Sequence, residues 1–98
     1  MTLPCRFSAL AGRDLEEIAL FIAADNPRRA LTFIDELRAH YLKVAKRPLA
    51  YPLRREYGTG IRLTVYGSYV IFHSQRDDAL VIERIVHGAR HREGLMGT

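Results

Sequence analysis

The stretch Ile61–Arg90, IRLTVYGSYVIFHSQRDDALVIERIVHGAR, decides the fold of this 98-residue chain. Its first part, Ile61 to Tyr66, alternates apolar and polar side chains, which is typical of a strand with one buried face. Gly67-Ser68 follows, and a Gly-X pair between two such runs favours a type II′ turn into a second strand, Tyr69 to Ser74. The first half of the stretch therefore predicts a β-hairpin.

The second half of the stretch predicts one more strand, so the three strands form a meander. Asp77-Asp78 is expected to make the second turn, and Leu80 to His87 returns as the third strand. Its apolar residues point to both faces of a strand: Leu80, Val81, Ile82, Ile85 and Val86. Burial on both faces favours a central position in the sheet over an edge.

Two helices are expected before the meander. Thr2 to Phe7 is a short candidate strand, which Pro4 confines to an edge or a strand start. Ser8 can cap a first helix that ends near Asp25, because a residue followed closely by proline leaves helical geometry. The apolar stripe of this helix has the spacing of an amphipathic helix and consists of Leu15, Ile18, Ala19 and Ile22.

Asn26-Pro27 resembles an N-cap followed by proline at the first position of a second helix, which ends before Pro48. Its apolar stripe consists of Ala30, Phe33, Ile34, Leu37, Tyr41 and Val44. So short a link between the helices predicts an antiparallel helical hairpin covering one face of the sheet. Phe21 and Leu42 fall outside the stripes and are candidates for an exposed apolar partner site.

The composition excludes several classes of protein. The net charge is +4 with a pI near 9.6, which favours anionic partners. There is no apolar run of membrane-spanning length, and the single Cys5 rules out an intramolecular disulfide. The four histidines, His40, His73, His87 and His91, lack a metal-ligand spacing. No metal or other cofactor is expected.

Basic residues are concentrated after the second helix and along the strands. Between Lys43 and Arg55, thirteen residues contain five cations and no acid. They either complement a helix end and coat a solvated loop, or they bind an anionic partner. The basic and aromatic groups on or beside the sheet are Arg54, Arg55, Arg62, Tyr66, Tyr69, His73, Arg84, His87 and Arg90.

That set has two interpretations. Arginines can clamp a phosphodiester, and a nearby histidine or tyrosine can transfer protons to a ribose hydroxyl or a leaving oxygen. Alternatively, Arg62 and Arg84 pair with Glu56 or Glu83, and the tyrosines complete the core.

Four segments carry a resemblance to a known family: DLEEIALFIAADNPRRALTFIDEL, PLRREYGTGIR, YGSYVIFHS and RIVHGAR. Together they resemble the RelE/ParE superfamily of type II toxin–antitoxin toxins, and its ParE branch in particular. The resemblance implies an α+β fold, βααβββ, with an antiparallel sheet packed on a two-helix hairpin, in a single domain over residues 1–98. It also implies a cytoplasmic protein in a hetero-oligomeric complex with an acidic, DNA-binding antitoxin encoded next to it. Such an antitoxin wraps the helices and adds a strand or helix to the sheet.

Residues in the hairpin indicate the branch. RelE-like toxins, which cut mRNA on the ribosome, commonly carry an arginine after the tyrosine of the hairpin and another just before its glycine. Here Val70 follows Tyr69, and Val65-Tyr66 precedes Gly67. The resemblance is therefore closer to ParE-like toxins, which inhibit DNA gyrase by binding it and have no catalytic residues.

Site residues follow from this interpretation. The expected target contacts are Arg54, Arg55, Arg62, Tyr69, Arg84, His87 and Arg90. The expected antitoxin contacts are Phe21 and Leu42. The alternative is a RelE-like, metal-independent endoribonuclease in which Arg62 and Arg84 hold phosphate and His87 transfers protons. A second alternative is an inactive toxin fold that serves as a binding module.

Overall fold

The computed structural model describes residues 2–88, so Arg90 and His91 lie outside the described part of the chain. The elements are β1 (Cys5–Phe7), α1 (Ala9–Asp25), α2 (Pro27–Lys46), a 3₁₀ turn (Arg55–Tyr57), β2 (Arg62–Tyr66), β3 (Tyr69–Arg76) and β4 (Ala79–His87). This order confirms the predicted α+β fold with two helices between the first strand and the meander.

Local chemistry sets the bounds of both helices. The Ser8 hydroxyl accepts a hydrogen bond of 3.0 Å from the amide of Ala11 and caps α1. Asn26 is both the C-cap of α1 and the N-cap of α2. Its amide donates to the Ile22 carbonyl at the end of α1, and its side chain accepts from Arg29 at the start of α2. Because one residue serves both ends, the helices turn back on each other without a linker.

The sheet has the order β1-β4-β3-β2. The strands β2, β3 and β4 form the predicted antiparallel meander, and β4 is central as expected. The short strand β1 pairs in parallel with β4, from Cys5 opposite Leu80 to Phe7 opposite Ile82. The sheet is therefore mixed and not antiparallel throughout as expected, because the helical hairpin lies between β1 and the meander and brings the chain back for a parallel pairing of β1 with β4.

The two turns of the meander differ in type. Gly67 has φ of 56°, and Ser68 is not among the residues with positive φ, which agrees with the predicted type II′ turn. Asp77 and Asp78 both have positive φ, 49° and 61°, as in a type I′ turn. A bulge at Phe72/His73 shifts the register of β3 against β4.

Both faces of the sheet are buried. The core between the sheet and the helices consists of Ala11, Phe33, Leu37, Val44, Ala45, Ile71, Leu80, Ile82 and Ile85. A smaller cluster on the opposite face consists of Ile61, Leu63, Val70, Phe72 and Val86, with Tyr57 of the 3₁₀ turn packed on it. The alternating apolar residues of β2 thus face away from the helices. Thr64 and Tyr66 face α2 instead, and neither α1 nor α2 has the length and apolarity needed to cross a membrane.

Candidate functional site

Arg84 forms a two-point ion pair with Asp14 of α1. Its Nε lies 2.7 Å from Oδ2 and its Nη2 lies 3.0 Å from Oδ1. Both side chains are largely buried, with 17% and 12% of their surfaces exposed. The hydrogen bond to Asp14 raises the pKa of the Arg84 guanidinium, with burial opposing it. Arg84 therefore fastens β4 to α1.

The same carboxylate completes the edge of the sheet. The strand β1 covers β4 only as far as Ile82, where the Ser8 amide donates to the Ile82 carbonyl at 2.9 Å. Further along, the Ser8 hydroxyl donates to the Glu83 carbonyl at 2.8 Å, and the Ile85 amide donates to Asp14 at 2.9 Å. The start of α1 thus satisfies backbone groups that β1 is too short to reach.

Arg62 holds a loop in place. Its Nη1 donates to the carbonyl of Tyr51 at 2.6 Å and lies 3.4 Å from the carbonyl of Leu49. We call residues 47–53 the strap. The strap has no helix or strand beyond an isolated bridge between Leu53 and Arg62. Arg62 is thus the residue that ties this irregular segment to the sheet.

The strap covers a buried histidine. His73 lies opposite Arg62 on β3 and is 0% exposed, with the Tyr51 ring edge-on at 5.5 Å. Neither of its ring nitrogens has a hydrogen-bond partner among residues 2–88. Burial, then the charges of Arg62 and His40, lower its pKa to about 4, so the ring is neutral near pH 7. An unsatisfied buried polar group costs about 1–3 kcal/mol.

The interpretation in which Arg62 and Arg84 pair with Glu56 or Glu83 is wrong about the partners. Glu83 accepts hydrogen bonds from Ser74 at 2.6 Å and Arg76 at 3.1 Å. Glu56 pairs with Arg54. Both strand arginines are engaged within the protein: Arg84 with Asp14 of α1, 70 residues away, and Arg62 with carbonyls of the strap.

Arg54 and Arg55 differ in their freedom to bind a partner. The Arg54 guanidinium pairs with Glu56 at 2.9 Å and lies over the Tyr57 ring, 5.6 Å from its centroid. Within residues 2–88, the exposed Arg55 side chain has no hydrogen bond or ion pair. Arg55 is therefore the more available cation of the two.

Tyr69 and His87 lie side by side at the opposite end of the sheet from the strap. They are partners on β3 and β4, with ring centroids 5.4 Å apart in an edge-to-face contact. The Tyr69 ring also packs on Phe33 of α2 at 5.2 Å. On β2, Arg62 is four positions from Tyr66, the residue opposite Tyr69, which is about 13 Å at the rise of a strand. The predicted site residues are thus distributed over separate regions, and Arg90 lies outside the described residues.

A groove between α2 and β2 was not predicted from the sequence. It is lined by Glu36, Ala39, His40, Lys43 and Tyr66. Glu36, His40 and Lys43 have the spacing i, i+4 and i+7, which places them on one face of a helix. This spacing is the sequence pattern that could have indicated a shared polar site. The sequence could not show which element that face meets.

The polar groups of the groove form two sets. The Tyr66 hydroxyl donates to Glu36 at 2.5 Å, and Arg29 pairs with the same carboxylate at 3.0 Å. Hydrogen bonds from Arg29 and then Tyr66 lower the pKa of Glu36. His40 lies 3.3 Å from the Thr64 hydroxyl, and burial, then the charge of Lys43, lower the pKa of its imidazole. At one end of the groove, Arg29 balances the negative charge of Glu36. At the other end, Lys43 contributes a positive charge.

Apolar side chains are exposed on the helices, as expected for Phe21 and Leu42. Phe21 is 79% exposed and Leu42 41% exposed. Leu20 and Leu31, near the tip of the hairpin, are also exposed. We call these four residues the hairpin surface. Among residues 2–88, no group of three or more His, Cys, Asp or Glu side chains could hold a metal ion.

Comparisons with known proteins agree with this architecture. A family model described as the ParE toxin of type II toxin–antitoxin systems, parDE, matches residues 5–92. The fold is similar to that of a chain from the chromosomal ParDE TA system of P. aeruginosa, with a TM-score of 0.72 and 15% identity. That match covers 88% of this chain and 96% of the other.

A second similar chain belongs to the toxin–antitoxin complex RelBE2 of Mycobacterium tuberculosis, with a TM-score of 0.61 and 25% identity. This match covers 89% of the present chain and 99% of the other. The search of curated protein sequences finds no match.

Proposed function

We propose, since this chain belongs to the ParE toxin family of type II toxin–antitoxin systems, that it stops growth by binding DNA gyrase and performs no chemistry of its own. Membership in the family supports the role of a toxin that is neutralised by an antitoxin. The choice of gyrase as the target is the finer step, and the arrangement of the strand arginines is the observation that carries it.

That arrangement argues against a catalytic cluster. A nuclease of the alternative kind needs Arg62 and Arg84 at one phosphate and His87 within reach of a hydroxyl. Arg62 and Arg84 are on strands separated by β3, about 10 Å apart at the spacing of neighbouring strands. One guanidinium is bound to the strap and the other to Asp14. A binding role requires no such convergence.

The target contacts proposed from the sequence are Arg54, Arg55, Arg62, Tyr69, Arg84, His87 and Arg90, of which Arg84 is largely buried by its pair with Asp14. Arg55 contributes an available cation beside the 3₁₀ turn, and Tyr69 and His87 contribute an aromatic pair at the other end of the sheet. Positive charge on the toxin favours approach to an anionic surface, as expected for a site on a DNA-bound enzyme.

The antitoxin is proposed to cover the hairpin surface. Exposed apolar side chains on both helices suit a partner that buries them. The net charge of +4 favours an acidic partner. Under this proposal residues 1–98 form one domain in a cytoplasmic toxin–antitoxin hetero-oligomer, with the antitoxin gene adjacent.

Two assays with purified protein test the choice of target. We expect inhibition of gyrase supercoiling at near-stoichiometric toxin, and no cleavage of mRNA in a ribosomal A site. In cells, DNA breaks, an SOS response and filamentation should precede any loss of translation. Ribosome-dependent mRNA cleavage with gyrase unaffected would refute the proposal.

A RelE-like nuclease is the second candidate, and the similarity to a chain of the RelBE2 complex favours keeping it. It predicts cleaved mRNA and early arrest of translation. The third candidate is an inactive fold retained for binding. It predicts a folded protein that binds its antitoxin but neither inhibits gyrase nor cleaves mRNA. The same two assays, with antitoxin binding as a third measurement, separate the three.

A further inference from the structure

His73 is a buried polar side chain that no contact among residues 2–88 explains. Its ring is 0% exposed, and both nitrogens lack a hydrogen-bond partner within that part of the chain. Buried polar groups in native proteins are nearly always paired, so an exception calls for a reason. A phenylalanine would pack in the same space without unsatisfied nitrogens. The position therefore fits a ring that acquires a partner in another state of the molecule.

On one side of this ring lies Tyr51 of the strap. The Tyr51 ring contacts His73 edge-on, at 5.5 Å and 89°. Other strap side chains point outward, since Leu49 is 64% exposed and Leu53 is 41% exposed. Tyr51 is thus the strap side chain that packs on the core, and the strap is otherwise held by the bonds from Arg62 to its carbonyls and by the bridge between Leu53 and Arg62. Such a segment, with few buried apolar contacts, opens at lower cost than the strands beneath it.

The charged groups that act on His73 among residues 2–88 are basic. Arg62 and His73 are partners on β2 and β3, so their side chains leave adjacent backbone positions. The charged groups that act on His73 are Arg62 and His40, and Lys43 in turn acts on His40. The remaining strand partner of His73, Ile82 of β4, is apolar. Both charges are basic, so an anion beside His73 would meet positive potential from these described residues.

We propose that the strap is a hinged cover and that, when it lifts, Arg62 and His73 bind one oxyanion of the phosphate type. Arg62 exchanges the two carbonyls of the strap for two oxygens of the anion, which suits its planar fork of donors. His73 donates one ring N–H to a third oxygen. The bound charge then favours the imidazolium, so the anion and a proton bind cooperatively.

The inference does not depend on gyrase being the target. It concerns a site inside the fold that exists whether the toxin binds gyrase, cuts RNA or does neither. It does bear on Arg62, whose Nη1 donates to the strap until the strap lifts.

Ring NMR signals of the four histidines, recorded on the full chain with increasing inorganic phosphate, test the proposal directly. We expect saturable shifts of the His73 signals and a rise of its titration midpoint by about one pH unit or more, as an adjacent opposite charge causes. Potassium chloride at matched ionic strength should leave His73 unchanged. Equal shifts in chloride, or phosphate shifts confined to His40, would overturn the proposal.

Variants of the cover provide the matched control. Tyr51→Ala should bind phosphate several-fold more tightly, because a larger fraction of the molecules is open. Tyr51→Phe keeps the ring and should bind like the wild type. If Tyr51→Ala is folded by circular dichroism and its His73 signals still ignore phosphate, the site does not exist.

The source of the phosphate group is resolved by repeating the titration with a short single-stranded oligonucleotide that lacks terminal phosphates. A shift of His73 with both probes identifies a site that accepts phosphodiesters. A shift with inorganic phosphate alone identifies a site for a small free anion. If neither probe shifts the His73 signals of Tyr51→Ala, the inference is refuted.

Discussion

Asp14 and Arg84 are 70 residues apart in sequence and meet in a two-point ion pair at 2.7 and 3.0 Å. The same carboxylate also accepts the amide of Ile85. One acidic side chain of α1 therefore binds both a side chain and the backbone of β4, at the point where β1 no longer covers that strand.

This relationship predicts that the pair matters for stability. Asp14→Ala removes the carboxylate to which both the Arg84 guanidinium and the Ile85 amide donate, and we expect a loss of about 2–4 kcal/mol in the free energy of unfolding. Urea denaturation measures it. Arg54→Ala, which breaks the exposed pair with Glu56, is the control and should have little effect. Equal stability of Asp14→Ala and the wild type would contradict a structural role for the pair.

The buried histidine predicts acid sensitivity. His73 has a folded-state pKa of about 4 against an ordinary value of 6.5, so between these values the unfolded chain binds the proton more readily. Stability should therefore fall as the pH drops from about 6.5 to 4, by roughly 3 kcal/mol from this group. His40, whose pKa is also lowered, acts in the same direction.

His73→Phe isolates the contribution of that ring. Unfolding free energies measured from pH 7.5 to 4 should decline less steeply in His73→Phe than in the wild type. His40→Gln should reduce the slope to a smaller extent, because its ring is only partly buried. Parallel curves for the wild type and His73→Phe would show that folding does not lower the pKa of His73.

The exposed hairpin surface predicts where the antitoxin binds. Phe21→Ser removes a side chain that is 79% exposed, so stability should be nearly unchanged. Binding of the cognate antitoxin should weaken by about tenfold or more if Phe21 is an aromatic anchor of the interface. Leu49→Ser removes an exposed apolar side chain on the strap and should bind the antitoxin normally. Calorimetric titration distinguishes the two, and equal affinities would place the antitoxin elsewhere.

A substitution at Arg55 should weaken target binding without affecting folding. Its side chain is exposed and has no ion pair within residues 2–88, so Arg55→Ala should fold normally. Under the gyrase proposal it should inhibit supercoiling several-fold less well at low salt, with the difference shrinking as salt rises. Arg28→Ala, at an exposed site near the start of α2, should inhibit like the wild type. Equal inhibition by both variants would remove Arg55 from the target surface.

The second turn of the meander predicts a stabilising change. Asp77 and Asp78 both have positive φ, which glycine and asparagine tolerate better than aspartate. Replacing the pair by Asn-Gly should raise stability by about 1 kcal/mol, or roughly 4–8 °C in Tm. Gly67→Ala, which places a side chain at φ of 56°, should do the opposite. A thermal melt measures both.

The sequence by itself determined the local structure of this protein. Ser8 and Asn26-Pro27 mark the helix ends because their side chains satisfy backbone groups within three residues. Gly67-Ser68 and Asp77-Asp78 mark the turns for the same local reason, and the segments between them carry the family resemblance. Each of these signals acts over a few residues and can be read along the chain.

Only the tertiary structure decided what the charged residues do. Asp14 reaches Arg84 because β1 is too short to cover β4, and Arg62 binds the strap because the loop returns over β2. The burial of His73 and the groove beside α2 have the same origin, since each is formed by elements distant in sequence. The strength of an ion pair or a pKa shift depends on which groups meet and how much water they exclude. Spacing along the chain contains no such information.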